Sequence, residues 1–411
     1  MEIRTLDGLG DVAGSRVFVR VDYNVPLAEG VVVDDARIRA SLPTLTELLG
    51  GGAALVLASH LGRPEGQVRD DLRLAAVGER LSELLGREVM ALDAVVGEEV
   101  EAVCGHVEAG EVVLLENLRF DPREERNDPA FAAELASLAD AYVDDAFGAV
   151  HRAHASVAAL PALLLEEGRP VAAGRLLQRE VEALSRLLEA PERPYVAVLG
   201  GAKVSDKLGT IGALVERVDA VLIGGAMAFT FIAAGGGEVG DSLVEPDRFE
   251  DVLAAARKAD ERGVVIQLPE DVIAAPEISD EAKRQTVPAA QVPPGQKGLD
   301  IGPRSVEEFA RSIADARTIL WNGPMGVFEL EPFGGGTRGV ATAIAGSQAY
   351  SVAGGGDSLA AIRKYGLEDG FDHLSTGGGA SLEFLEGRSL PGIAVLEAGE
   401  ATGRGTEAGR A

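Results

Sequence analysis

The sequence predicts a parallel α/β fold in two lobes, each a doubly wound, Rossmann-like sheet, joined by a long helix. Three observations predict it. Short apolar runs alternate with glycine or polar punctuation and helical patterns along nearly the whole chain, the pattern of repeated βα units. The runs are apolar at almost every position, as expected of strands covered on both faces. One long amphipathic stretch separates two complete sets of such runs.

In the first half the strand runs are Arg16–Val21, Ala53–Ala58, Glu111–Leu115 and Ala141–Val143, with helical patterns at Arg39–Leu49, Ala75–Leu85 and Pro129–Ala139. Between the halves, Ala172–Glu189 places Leu177, Val181, Leu184 and Leu188 on one helical stripe, bounded by Pro170 and Pro191. A helix of that length is roughly 27 Å long, enough to connect two lobes. The second-half runs are Tyr195–Leu199, Ala220–Ile223, Val264–Leu268, Thr318–Leu320 and Tyr350–Ala353. The domains expected are 1–171, a connecting helix at 172–189, and 190–384. The Gly/Ala/Glu/Arg-rich segment at 397–411 lacks periodicity and reads as a disordered tail.

With 411 residues, 46% of them hydrophobic, the chain is long and apolar enough for two or three ordered domains. No apolar run is long enough to span a bilayer, and MEIRTLDGLGDV is not a secretory signal. The single cysteine, Cys104, forms no internal disulfide, which fits a reducing cytoplasm. A formal charge of −28 opposes binding to nucleic acid or an anionic membrane.

Ligands of open parallel sheets bind beyond the carboxyl ends of the strands, and the two halves differ there. First-half strand ends lead into VRVDYNV (Arg20, Asp22, Asn24), SHLGRP (His60, Arg63), ENLRF (Arg119) and DDAFGAVHRAH (His151, Arg152, His154), with Arg37 close behind the first. Guanidinium groups converging on one edge suit a small, multiply charged anion. The histidine spacing, without Cys or carboxylate partners, is a poor metal signal. Second-half ends are glycine-rich: GGAK (200–203), GGAMAF (224–229), WNGPMGVFE (321–329), AGGGDS (353–358) and TGGGAS (376–381). Repeated glycine lets backbone N–H groups cradle a polyphosphate. Lys203 and Lys207 are two of only six lysines, and Asp357 is the natural carboxylate for Mg²⁺ on phosphates. There is no GxxxxGK[ST], and Gly8, Gly10 and Ala13 match GxGxxA only ahead of a strand, so neither the P-loop nor the dinucleotide fingerprint applies.

Taken together, RVDYNVP (20–26), SHLGRP (59–64), ENLRF (116–120), DDAFGAVHRAHAS (144–156), GGAKVSDK (200–207), WNGPMGVFE (321–329), GGGDS (354–358) and STGGGASLE (375–383) resemble the motifs of the phosphoglycerate kinases, in that family's order, from about residue 3 to about residue 396. The resemblance implies reversible, Mg²⁺-dependent phosphoryl transfer between ATP and the carboxylate of 3-phosphoglycerate, giving 1,3-bisphosphoglycerate and ADP. It implies an N-terminal triose lobe and a C-terminal nucleotide lobe that close about a hinge, in a cytoplasmic monomer. Asp22, Tyr23, Asn24, His60, Leu61 and Gly62 would bind the triose, with Arg37, Arg63, Arg119 and Arg152 as the anion patch and Arg20 a weaker member. Lys203 would follow the transferred group. Lys207, Gly225, Asn322, Glu329 and Gly354, Gly355, Gly356, Asp357 and Ser358 would hold the nucleotide, Asp357 positioning Mg²⁺. Arg37, Lys203 and a helix opening at Gly377, Gly378 and Gly379 would serve catalysis. The segment 385–396 would pack back on the first lobe.

The chain departs from the family pattern at Tyr23, whose hydroxyl needs a partner, at Ala226, and in the glycine-rich PFGGGT (332–337). A carboxylate nucleophile is ionised at neutral pH, so no general base is required. The alternatives are an NAD(P)-linked dehydrogenase of an anionic substrate, with Asp219 as its ribose acid, and a non-catalytic anion- or nucleotide-binding protein.

Overall fold

In the computed structural model, which describes residues 1–398, the chain forms two compact units. One comprises Met1–Val181 together with the segment from Ser389, the other Glu182–Arg388. Each carries one six-stranded parallel sheet.

The first sheet contains β1 (Arg16–Val21), β2 (Ala54–Ala58), β3 (Met90–Ala91), β4 (Val112–Leu114), β5 (Ala141–Asp145) and β6 (Val171–Ala173), in the order β3-β4-β2-β1-β5-β6. Alternation along β1 sends Val17, Val19 and Val21 into a core with Leu45, Leu55, Leu57 and Leu81, while Phe18 stacks on Tyr142 on the other face. Register sets Arg20 beside Ala58 on one side and Asp144 on the other, so three polar strand ends leave the sheet together.

The second sheet contains β7 (Tyr195–Leu199), β8 (Ala220–Ile223), β9 (Val265–Gln267), β10 (Thr318–Asn322), β11 (Tyr350–Gly354) and β12 (His373–Ser375), in the order β9-β8-β7-β10-β11-β12. Asn322 lies abreast of Leu199 and Gly354. A three-stranded antiparallel sheet, Asp271–Ala275 between Gln285–Pro288 and Lys297–Ile301, completes the unit.

Three boundaries differ from those read in the sequence. The long helix runs Arg175–Glu189, not from residue 172, because Val171–Ala173 joins the sheet as an edge strand. Gly174 allows the turn: a Cβ there would meet the Asp145 carboxylate at 2.2 Å. That carboxylate accepts from Leu176 N at 2.9 Å, and the Thr44 hydroxyl accepts from Arg175 N at 2.8 Å, so the helix start is capped by partners remote in sequence. Burial pushes Asp145 up to about 7. At the other end of the chain, residues 385–388 group with the second unit, and only the part from Ser389 joins the first. There Gly392 N donates to Val150 O and Arg4 N to Leu396 O. Glu397 bridges Ile3, and Ala398 N donates to Glu2 O, so the first two residues of the expected tail are held; its remainder, 399–411, lies outside the described residues. No helix among the described residues is long and apolar enough to cross a membrane.

Candidate active site

At the carboxyl edge of the first sheet, hydrogen bonds to side chains and to loop backbone hold several of the polar residues. Asp22 accepts from Arg37 at 2.8 Å. Asn24 is exposed, and its Oδ1 accepts from Gly62 N at 2.9 Å; the Gly62 carbonyl accepts from Arg119 at 2.8 Å. Gly62 has φ +62°, and a Cβ there would strike Leu72 at 2.7 Å, so this crossing requires glycine. Leu61 is buried, its N–H held by Asn117 Oδ1 at 3.2 Å. Arg119 is nearly buried, with its Nε 3.3 Å from Glu125. Burial, with Arg20 and Arg152 nearby, holds its guanidinium below the ordinary range. Arg152 is exposed and donates to His151. Arg63 is exposed and makes no hydrogen bond or ion pair with the described residues.

Two residues of this edge lie deeper than the sequence pattern implies. Tyr23 is fully buried, and its hydroxyl meets Ser41 Oγ at 2.9 Å, so its ring faces the core and only its backbone reaches toward the edge. Arg20 is 1% exposed, with its donors spent on Ser156, the Val21 carbonyl and His60, which removes it from the open patch. His60 is itself buried, and burial followed by Arg20 holds its pKa well below the ordinary imidazole value.

The second sheet ends in glycine crossings. Gly200 N donates to Asn322 O, Gly201 N to Pro324 O and Gly225 N to Met325 O, each at 3.0 Å. Any side chain would block them: a Cβ at Gly323 (φ +97°) would lie 2.2 Å from Gly200 O, and one at Gly225 (φ +65°) 2.6 Å from Gly201 N. The space kept open consists of two cavities. The smaller, about 240 Å³, is lined by Lys203, Asp206, Lys207, Gly355, Gly356, Asp357 and Ser358 among others. The larger, about 550 Å³, shares Gly201, Ala202, Pro324 and Asp357 with it and runs on past Leu243, Ile278, Leu299 and Val327 to Glu329.

Lys207 bonds both the side-chain and main-chain oxygens of Asn322, and burial pushes it down to about 8, against the pull of Asp206 and Asp357. Lys203 is exposed, with no such tether among the described residues. Gly354 closes β11, and Gly355 (φ +91°) turns the chain into the helix Gly356–Tyr365, whose first turn carries Asp357. Ser358 Oγ accepts from Gly323 N at 2.6 Å and ties that turn to the next crossing. Gly378 (φ +55°) opens the helix Gly379–Leu385, and Gly377 N donates to Ser375 Oγ at 3.3 Å.

A family model for phosphoglycerate kinase matches residues 6–388. Proteins named phosphoglycerate kinase are similar along the chain: that of Thermomicrobium roseum is 55% identical, covering 96% of this chain and 99% of its own, and that of Thermus thermophilus is 54% identical, covering 96% and 100%. Among solved structures, phosphoglycerate kinase from Coxiella burnetii aligns with a TM-score of 0.86 at 41% identity over 96% of this chain and 98% of its own. That from Pyrococcus horikoshii gives 0.83 at 34% with the same coverage. This chain belongs to the phosphoglycerate kinase family.

Membership makes the chain a phosphotransferase and leaves the dehydrogenase reading without support. The structure supplies the physical reason. Asp219 precedes β8 at the amino edge of the sheet, where it accepts from Tyr195 N at 2.6 Å and pairs with Arg193. It is on the edge opposite both cavities.

The sequence reading missed one wall of the larger cavity: Asp241, Leu243, Ile278, Lys297, Gly298 and Leu299. The last three lie on the antiparallel strand Lys297–Ile301, outside the parallel-sheet rule used to find the others. GQKGLD held the available signal, a scarce lysine beside a glycine. Gly298 is dictated by Phe229, whose ring lies 1.9 Å from where its Cβ would be. Within the glycine run at 334–336, Gly336 has a similar cause. It is the second residue of the helix Gly335–Ala345 and has its N 2.6 Å from the buried Asp300 carboxylate, where a Cβ would not fit.

Proposed function

We propose that the arginine edge of the first unit binds 3-phosphoglycerate and the paired cavities of the second bind MgATP or MgADP, the phosphoryl group passing between the substrate carboxylate and the nucleotide. The observation that carries this is the joined pair of cavities. One is walled by glycines, two lysines and Asp357, the right chemistry for phosphates; the other is largely apolar and ends at a carboxylate, the right chemistry for a base and ribose.

On the first edge, Arg37, Arg63, Arg119 and Arg152 neutralise the phosphate of the triose, and Asp22, Asn24 and His60 orient its glycerate end. Leu61 and Gly62 shape the loop beneath them. On the second, Lys207 and Ser358 with Gly354, Gly355 and Gly356 hold the nucleotide phosphates. Gly225 and Asn322 shape the floor, and Glu329 takes the ribose hydroxyls. Mg²⁺ enters with the nucleotide. No group of three His, Cys, Asp or Glu side chains able to hold a metal occurs among the described residues, whereas Asp357 stands exposed where the cavities meet. One carboxylate plus phosphate oxygens and waters suits a hard cation of this kind.

The substrate carboxylate attacks as the anion it already is, so the protein has no proton to remove. Its task is to place charged groups in line and to neutralise what develops between them. The untethered Lys203 can follow the moving group, aided by Arg37 and by the backbone at Gly377–Gly379. The protein acts as a monomer in the cytoplasm.

The test supplies ATP, Mg²⁺ and 3-phosphoglycerate and traps the acyl phosphate with hydroxylamine. Hydroxamate should accumulate; its absence from a folded sample would sink the reading. Lys203→Ala should lower turnover by roughly 10²-fold or more with little change in nucleotide affinity. Wild-type turnover in that variant would remove Lys203 from its role.

A further inference from the structure

A buried polar chain runs beneath the arginine edge. Glu124, 1% exposed, accepts from Ser156 N at 2.9 Å and from Ser156 Oγ at 2.6 Å. Ser156 Oγ accepts in turn from Arg20 Nε at 3.0 Å, and an Arg20 terminal nitrogen lies 3.1 Å from His60 Nδ1. Arginine has donors only and stays protonated. Both contacts therefore have fixed polarity: the serine hydroxyl must give its proton to Glu124, and His60 Nδ1 must accept. With Nδ1 accepting, the imidazole proton resides on Nε2, for which no protein partner occurs among the described residues.

We propose that Arg20 is a positioning residue that holds His60 as the neutral imidazole protonated at Nε2, so that His60 offers the bound anion a hydrogen-bond donor and no charge. The Ser156–Glu124 pair holds the Arg20 guanidinium in the required plane. The inference rests on reading His60 as a group that touches the ligand.

The groups facing the ring agree. They are Arg20 from β1, Arg37 from the helix Ala36–Gly50, Arg119 behind β4 and His154 beyond β5. The three guanidinium groups oppose a further positive charge on His60. His154 is likewise pushed down to about 3 by burial and then by Arg119 and Arg20. The positive charge of the site thus belongs to arginine, and His60 contributes direction. The same chain accounts for Glu124, whose burial raises its pKa while Arg20 lowers it; its carboxylate anchors a cation that the site does not expose.

The direct test is ¹H–¹⁵N NMR of the ring nitrogens in the full-length wild-type protein. The chain has five histidines, and His60→Gln identifies the signals of interest. His60 should show a bare Nδ1 and a protonated Nε2 from about pH 5.5 to 8, bracketing the ordinary value of ~6.5, without titrating. An Nδ1–H tautomer, or an imidazolium forming in that range, would overturn the proposal.

Arg20→Gln replaces a pure donor by a group that also accepts, so the ring should titrate and the Nε2–H preference should weaken. Arg20→Lys, still a pure donor, should restore the wild-type tautomer. Binding of 3-phosphoglycerate by Arg20→Gln should strengthen relative to wild type as pH falls through the ring's pKa; measuring both proteins at the same pH steps cancels the ligand's own titration. If Arg20→Gln does not fold, the wild-type spectrum still decides. A His60 locked as stated, whose Nε2–H signal is unmoved by saturating 3-phosphoglycerate, would keep the tautomer but overturn the role of the ring as a ligand group.

Discussion

The two sheets are both six-stranded, parallel and doubly wound, yet their carboxyl edges are built by different means. The first edge uses side chains. Two of its cations are held in advance, Arg37 by Asp22 and Arg119 by Gly62 O and the nearby Glu125 carboxylate, so a small anion bound there would meet them already oriented. The second uses the absence of side chains: Gly200, Gly225 and Gly323 let three loops cross at hydrogen-bonding distance, and the lysines and Asp357 are added to a space made by backbone. A compact trianion can be surrounded by guanidinium forks. An extended nucleotide needs room for its base and backbone donors along its phosphates. It follows that the first edge should lose affinity gradually, residue by residue, whereas the second should fail abruptly when a glycine is lost.

The largest expected effect is at Gly323. Gly323→Ala combines a positive φ with a Cβ 2.2 Å from Gly200 O. Strain of ~1–3 kcal/mol, with overpacking of similar size, ~1–3 kcal/mol, should lower the melting temperature and abolish nucleotide binding, while 3-phosphoglycerate still binds the first unit. Thermal melts and calorimetric titration of both ligands check this. Retained ADP affinity would mean that the crossing does not shape the cavity.

Arg119→Ala is next. A charge-assisted hydrogen bond is worth about 1.5–3 kcal/mol, so 3-phosphoglycerate affinity should fall by roughly 10- to 100-fold. Arg63 starts without a partner among the described residues and must be ordered by the ligand, so Arg63→Ala should cost less. Equal losses in the two variants would show that pre-pairing contributes nothing.

The smallest effect concerns Lys207. Burial lowers it to about 8, below its usual ~10.4, and a bound phosphate favours the charged form. Its pKa must therefore rise on binding. Nucleotide binding should take up protons near pH 8, and affinity should decline as pH rises beyond it. Titrations in buffers of different ionisation heat read this uptake, and Lys207→Met should lose it. Uptake that persists unchanged in the variant would assign the proton elsewhere.

How much of this was legible in the sequence follows from the kind of interaction involved. The central strands of both sheets were visible because burial on two faces leaves a continuous apolar run, as in Tyr195–Leu199. The edge strands Met90–Ala91, Val171–Ala173 and His373–Ser375 were not, being two or three residues long. The start of the connecting helix depends on Asp145 and Thr44, which no local pattern around residue 175 reveals. At the site, the residues following each parallel strand could be read off in order. The wall from Asp241 to Leu299 escaped that rule, because Lys297, Gly298 and Leu299 lie on an antiparallel strand and Asp241, Leu243 and Ile278 in loops that follow no strand of the six-stranded sheet. The burial of Arg20 and Tyr23 was hidden for a different reason: alternation places a residue on a face but does not say how deep that face lies.

The division of labour between the edges is tested most directly by titrating 3-phosphoglycerate and ADP separately into the full-length wild type, Arg119→Ala and Lys207→Met. Each variant should weaken one ligand and leave the other within about twofold, which is under ~0.5 kcal/mol: the triose phosphate for Arg119→Ala and the nucleotide for Lys207→Met. If Arg119→Ala weakened ADP as much as 3-phosphoglycerate, the assignment of one ligand to each edge would be contradicted.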